Sequence, residues 1–205
     1  RKFRGQSSKA MPEATDISTA KNPEETAEQI NPAVSSGVMR VVLTGFMGAG
    51  KSTVGALLAA RLGWRFIDVD AAIEAMHGAS IAALFEKHGE PWFRQVEQAT
   101  ILDFLGIDHL VLALGGGAIE TERTRQLLLA SEGTRLVHLE VSLDTVLARC
   151  AGTETVRPIL RDKANLEGRY ARRIPLYRQA HLNLPVDAIA PETVTELLAS
   201  LLALG

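Results

Sequence analysis

Sulfur chemistry is nearly absent from this chain: Cys150 is the only cysteine in 205 residues. An intramolecular disulfide and a thiolate zinc site are thereby excluded, and a reducing compartment is suited. The five histidines are scattered without H-E-x-x-H spacing, so that zinc-hydrolase signature is missing too. No apolar run approaches the roughly 18 residues that span a bilayer, and no apolar core precedes a small-residue cleavage site. Neither sign of charge dominates: a net charge of −2 supplies no global basic field for nucleic acid or an anionic membrane. The expectation is a cytoplasmic protein with neither nucleic acid nor membrane as a partner.

What is present is apolar content, 46% of the residues, enough for one well-buried α/β domain with a lid or small insertion but not for two full domains. Residues 1–37 stand apart, with Pro12, Pro23 and Pro32, a single aromatic in Phe3 and no sustained apolar periodicity. They read as a disordered extension. Arg1, Lys2, Arg4 and Lys9 would suit a targeting peptide, but Glu13, Asp16, Glu24, Glu25 and Glu28 do not. From Val38 onward strands and helices alternate, without an internal repeat. The pattern predicts strands near 40–44, 66–69, 110–114, 135–140 and 184–188, and helices over 51–62, within 70–105, and over 120–131, 142–150, 163–180 and 191–203. Such alternation implies a parallel sheet flanked by helices.

The first strand runs into Gly45-Phe46-Met47-Gly48-Ala49-Gly50-Lys51-Ser52-Thr53, the G-x-x-x-x-G-K-[ST] spacing of a phosphate-binding loop. Glycine at 45, 48 and 50 lets the backbone turn and bring bare N–H groups to phosphate oxygens. Lys51 adds positive charge, the helix that follows aims its N-terminal dipole at the same anion, and Ser52 offers a hydroxyl to Mg²⁺. The expected ligand is a nucleoside triphosphate, held by Gly48, Ala49, Gly50, Lys51, Ser52 and Thr53.

Four further groupings bear on the second substrate. Asp68-Val69-Asp70 closes the second predicted strand, whose period of two would set both carboxylates on one face. At the carboxyl ends of parallel strands, where ligands collect, one can hold Mg²⁺ through water while the other takes a proton from a hydroxyl. The alternative is a helix N-cap by Asp70 beside a solvated Asp68. Arg94 and Glu97, three apart in Phe93-Arg94-Gln95-Val96-Glu97, share a helical face as a site pair or as an ordinary surface ion pair. Gly115-Gly116-Gly117 is either a tight strand-to-helix turn or bare backbone open to a small ligand. A basic stretch holds Arg157, Arg161, Lys163, Arg169, Arg172, Arg173 and Arg178 against only Asp162 and Glu167. Its few interleaved aromatics disfavour a nucleic-acid helix, and arginines forking onto phosphate and carboxylate oxygens account for it better.

Taken in order, Gly-Phe-Met-Gly-Ala-Gly-Lys-Ser-Thr, Asp-Val-Asp, Phe-Arg-Gln-Val-Glu, Leu-Gly-Gly-Gly-Ala, and Arg157-Pro158-Ile159-Leu160 with Arg172-Arg173-Ile174-Pro175-Leu176-Tyr177 make the chain resemble the shikimate kinases over about residues 38–205. The resemblance implies a three-layer P-loop NTPase fold with a central parallel sheet of about five strands, a substrate-binding segment near 70–98 and a lid near 149–165. It implies a monomer that uses ATP, with Mg²⁺, to phosphorylate the 3-hydroxyl of shikimate on the way to chorismate and the aromatic amino acids. On this resemblance Asp70 is the substrate-binding carboxylate and general base, and Arg94 and Arg173 clamp the shikimate carboxylate. Glu97 orients Arg94, and Gly115, Gly116 and Gly117 meet substrate through backbone. Arg157 is the lid arginine that reaches the transferring phosphate, with Lys51 beside it as a catalytic cation. Ser52 holds Mg²⁺ directly and Asp68 holds it through water. Where the family commonly carries an arginine near the adenine, this chain has Cys150, with Arg149 adjacent. The alternatives are another small-molecule kinase of the same fold, such as a gluconate kinase, and a nucleotide-binding relative without catalysis.

Overall fold

A computed structural model describes residues 37–150 and 163–204. Five strands form its sheet: β1 (Arg40–Thr44), β2 (Arg65–Asp68), β3 (Leu110–Ala113), β4 (Thr134–Glu140) and β5 (Leu182–Pro185). All pair in parallel, in the order β2-β3-β1-β4-β5. β1 occupies the middle because Val41, Val42 and Leu43 are apolar on both faces and lose all solvent contact there, the pattern of a strand covered by helices on each side. Val42 lies opposite Leu112 on one flank and Leu136 on the other. The helices are α1 (Lys51–Leu62), α2 (Val69–His77), α3 (Ile81–His88), α4 (Glu90–Phe104), α5 (Glu122–Ala130), α6 (Leu143–Cys150), α7 (Lys163–Tyr177) and α8 (Pro191–Leu204). No helix among the described residues is long and apolar enough to cross a membrane.

The strand order positions the site. From β1 the chain crosses through α1 to β2 at the sheet edge and returns to β3 beside β1, whereas β4 and β5 extend the other side. The connections thus diverge at β1, and a crevice opens beyond its carboxyl end, where the glycine-rich loop lies.

Three expectations need correction. β2 ends at Asp68, so Asp68 and Asp70 are not alternate residues of one strand. Asp68 Oδ1 accepts from the N–H groups of Asp70 (3.1 Å) and Ala71 (3.3 Å). The N-cap is therefore Asp68, not Asp70, and that bond draws residues 69 and 70 into the first turn of α2. β5 covers 182–185 rather than 184–188 because Asp187 turns aside, its Oδ1 accepting from the Ser142 N–H at 3.1 Å, and Ala188 takes a φ of 54°. The helix expected over 120–131 breaks at Thr121, whose extended backbone separates a 3₁₀ turn (Ala118–Glu120) from α5. Apart from Gly37, the expected extension lies outside the described residues, as do Arg157 and most of the expected lid.

Candidate active site

The phosphate loop begins where β1 ends. A Cβ on Gly45 (φ 144°) would come within 2.6 Å of the Leu139 carbonyl oxygen, and Gly48 (φ 75°) and Gly50 (φ 90°) are left-handed; only glycine accepts all three positions. The N-cap of α1 is Gly50, which has no side chain to cap it, and this leaves the first N–H groups of the helix to an anion. Lys51 Nζ folds over the loop and donates to the carbonyl oxygens of Gly45 (2.9 Å) and Phe46 (3.1 Å). Ser52 Oγ donates to Asp68 Oδ2 at 2.6 Å, joining the loop to the carboxyl end of β2.

Facing this loop, α2, α4, α7 and the turn after β3 supply a second cluster. Arg94 Nη1 donates to Glu97 Oε2 at 2.6 Å and Nη2 to Glu90 Oε1 at 3.0 Å. Arg173, buried on α7, donates from Nη2 to Glu120 Oε2 at 2.8 Å, and its guanidinium lies over the Phe46 ring at 5.9 Å. The Tyr177 hydroxyl donates to the Gly116 carbonyl at 2.5 Å, pinning the triple glycine to α7. Two of those glycines are required by their neighbours rather than by φ. A Cβ on Gly115 would meet Asp70 Oδ1 at 2.6 Å and Glu97 Oε1 at 2.9 Å, and one on Gly117 would strike the Arg94 guanidinium.

Burial sets the charge states. Asp70 is raised above the ordinary carboxylate range, first by burial and next by the Asp68 charge, against the pull of Lys51 and Arg94. Glu97 is pushed up to about 7 because its loss of water outweighs the pairing with Arg94. Glu120 moves the other way: burial raises it, but the hydrogen bond from Arg173 together with the charges of Arg173, Arg94 and Arg169 outweighs that and lowers it. Among buried polar atoms, Glu97 Oε1 and Arg173 Nε have no hydrogen-bond partner, which is the condition of groups that await a ligand.

Both halves border one cleft of about 770 Å³, and every sequence-predicted site residue except Arg157 lines it. Arg149 lines it too, donating to the carbonyl oxygens of Gly48 (3.2 Å) and Val186 (3.0 Å), whereas Cys150 is buried with its Sγ packed against Gly48. Of these two neighbours, Arg149 is the one that reaches the cleft. Sequence reasoning missed Glu90 and Glu120 as arginine partners. Glu90 stands four residues before Arg94 and was findable by helical spacing; Glu120 lies 53 residues from Arg173 and carries no local signal.

Known proteins match this arrangement. The family model for shikimate kinase matches residues 47–202. The shikimate kinase of Salinibacter ruber is 41% identical over 167 residues, 76% of this chain and 81% of that protein. Among solved structures, shikimate kinase from Acinetobacter baumannii in complex with shikimate is 34% identical, with a TM-score of 0.74 over 80% of this chain and 92% of its own. A gluconokinase from Sinorhizobium meliloti, at 19% identity and a TM-score of 0.53 over 81% of this chain and 91% of its own, shares the fold alone. With both sequence and backbone following the shikimate kinases across the cleft and the sheet that carries it, the chain belongs to the shikimate kinase family.

Proposed function

We propose that this protein transfers the γ-phosphoryl group of ATP to the 3-hydroxyl of shikimate. The observation that carries the reading is the meeting of a phosphate loop with a half-buried carboxylate, Asp70, and two arginines, Arg94 and Arg173, around bare glycine backbone in one cleft. Phosphoryl transfer asks the protein for placement and charge stabilisation rather than covalent chemistry. Arg94 and Arg173 hold the acceptor carboxylate by forked, charge-assisted hydrogen bonds, and Glu97 and Glu90 keep Arg94 in its pose. Asp70 accepts the hydroxyl proton as that oxygen bonds to the γ-phosphorus and the bond to the β,γ-bridging oxygen breaks, leaving ADP. Lys51 and the α1 N-terminus take up charge on the phosphates. Arg157, which lies outside the described residues, is by family resemblance the arginine that would reach the transferring group. By family resemblance, Arg149, which lines the cleft, would stand in for the adenine-side arginine that Cys150 replaces.

The donors at the loop suit Mg²⁺. Ser52 and Asp68 present hard oxygens, and among the described residues no group of three or more His, Cys, Asp or Glu could hold a metal by itself. That fits an ion bound by one or two protein oxygens plus water and phosphates. When bound, Mg²⁺ neutralises phosphate charge. The residues that would hold it are Ser52 directly and Asp68 through water. The family resemblance suggests a monomer, and the composition suits a cytoplasmic enzyme. A gluconate kinase would share the loop but not the Arg94 and Arg173 pair. ADP release with shikimate and with gluconate, each with and without Mg²⁺, tests the reading: release only with shikimate and Mg²⁺ supports it, and release with gluconate alone refutes it.

A further inference from the structure

Among the described arginines of the basic stretch that the mechanism leaves unused, Arg169 alone lines the cleft. Arg169 stands one turn before Arg173 on α7, so the two share a helix face, and it lines the same cleft. No hydrogen bond or ion pair ties its guanidinium to a described residue, and its Nε is shut away from water without an acceptor. Its neighbours differ in this respect: Arg94 has Glu97 and Glu90, and Arg173 has Glu120. The charges that face Arg169 are Arg173 and Arg172 on its own helix, Glu120 on the 3₁₀ turn and Glu90 on α4. Burial and then the adjacent Arg173 charge hold its pKa below the usual guanidinium range.

The Glu120 carboxylate is acted on by Arg173, Arg94 and Arg169 together, and all three arginines line the one cleft. Both carboxylates whose charge acts on Arg169, Glu90 and Glu120, are already bonded to other arginines. A buried donor left without an acceptor is unfavourable, and a hydrogen bond to a charged partner relieves it. A planar carboxylate entering between Arg94 and Arg173 offers about four acceptor positions, and one is open to Arg169 wherever Arg94 or Arg173, which already donate to Glu97, Glu90 and Glu120, gives it a single bond.

We propose that Arg169 is a specificity-determining residue that binds the carboxylate of the acceptor beside Arg94 and Arg173, an inference that rests on the acceptor reading above. The test is steady-state kinetics of the whole protein as wild type, Arg169→Gln and Arg169→Lys, with shikimate and with its carboxamide analogue. Arg169→Gln raises the KM for shikimate roughly 10- to 100-fold, the range for a hydrogen bond to a charged group, while the KM for ATP stays put. Lysine, which keeps the charge but not the fork, restores part of the loss. For the carboxamide, wild type and Arg169→Gln have the same KM. An equal KM rise for acid and amide overturns the inference, because a general packing or field effect would not distinguish them; so does an unchanged KM for shikimate. Wild-type protein that releases no ADP with shikimate overturns the acceptor reading along with it, whereas wild-type turnover with an indifferent Arg169→Gln defeats this inference alone.

Discussion

Adding one methyl group at Gly115 tests how tightly the acceptor side is built. The residue has no positive φ, so alanine there meets no backbone strain and its whole effect comes from what the new Cβ touches. That is Asp70 Oδ1 at 2.6 Å and Glu97 Oε1 at 2.9 Å. To reach an ordinary contact of 3.4 Å, the Asp70 oxygen must retreat by about 0.8 Å, and Glu97 by about 0.5 Å, from positions set by burial and by Arg94. A misplacement of about 1 Å at the reacting centre costs on the order of 10²-fold in rate, and overpacking of this kind costs about 1–3 kcal/mol of stability. Gly115→Ala should therefore lose roughly 10²-fold in turnover and melt a few degrees lower in a chain of this size, about 2–4 °C for each kcal/mol. Gly116→Ala is the internal control: its nearest neighbour would be Arg173 Nη1 at 3.5 Å, an ordinary contact, so its melting temperature should match wild type. Coupled ADP-release kinetics and thermal melts read both variants. Full turnover in Gly115→Ala, or a Gly116→Ala protein destabilised as much as Gly115→Ala, would refute the packing argument.

Other consequences follow from charge. Asp70→Asn should fold normally and lose roughly 10²- to 10⁴-fold in turnover, measured by single-turnover phosphate transfer; undiminished transfer removes Asp70 as base. Because the ionised form accepts the proton and burial raises its pKa, wild-type kcat/KM should fall with decreasing pH through a pKa above the ordinary Asp range, and an acid limb at or below that range argues otherwise. Glu97 stands at about 7 when folded against an ordinary 4.5, so the folded state binds more protons between those values and stability declines as pH rises through that window. By pH 8 the decline amounts to about 3 kcal/mol. Melts of ligand-free protein at pH 5 and 8 should show it, and Glu97→Gln should lessen it; an identical slope in the variant contradicts the assignment. Asp68→Asn should raise the Mg²⁺ needed for half-maximal turnover roughly 10- to 100-fold, and an unshifted titration would remove Asp68 from the metal side.

The parts of the site legible in the sequence are those encoded by local spacing. The phosphate loop is legible because its glycines answer to backbone angles that only glycine adopts at those positions, and β1 because an apolar run covered on both faces leaves an unbroken pattern. Asp68 and Asp70 both reach the cleft, but not through the period of a strand: a capping bond from Asp68 bends the chain into α2, and capping competes with strand extension wherever Asp precedes a helix-forming run. Glu120 and the Tyr177 hydroxyl were not legible in their roles, since the first finds Arg173 across 53 residues and the second finds Gly116 across 61. The reason for glycine at 115 and 117 was likewise hidden, because it lies in side chains brought from α2 and α4. The protonation of Glu97 depends on burial, which no run of residues around it declares.

The central claim is that the cleft joins ATP chemistry to one hydroxyl of a small cyclic hydroxy acid. It is tested most directly by incubating wild-type protein with ATP, Mg²⁺ and shikimate and locating the new phosphoester by ³¹P–¹H correlation NMR. The account predicts a single monoester whose phosphorus couples to the proton at carbon 3, formed in step with ADP. Phosphate on another hydroxyl, or ADP formed with no phosphorylated shikimate, would contradict it.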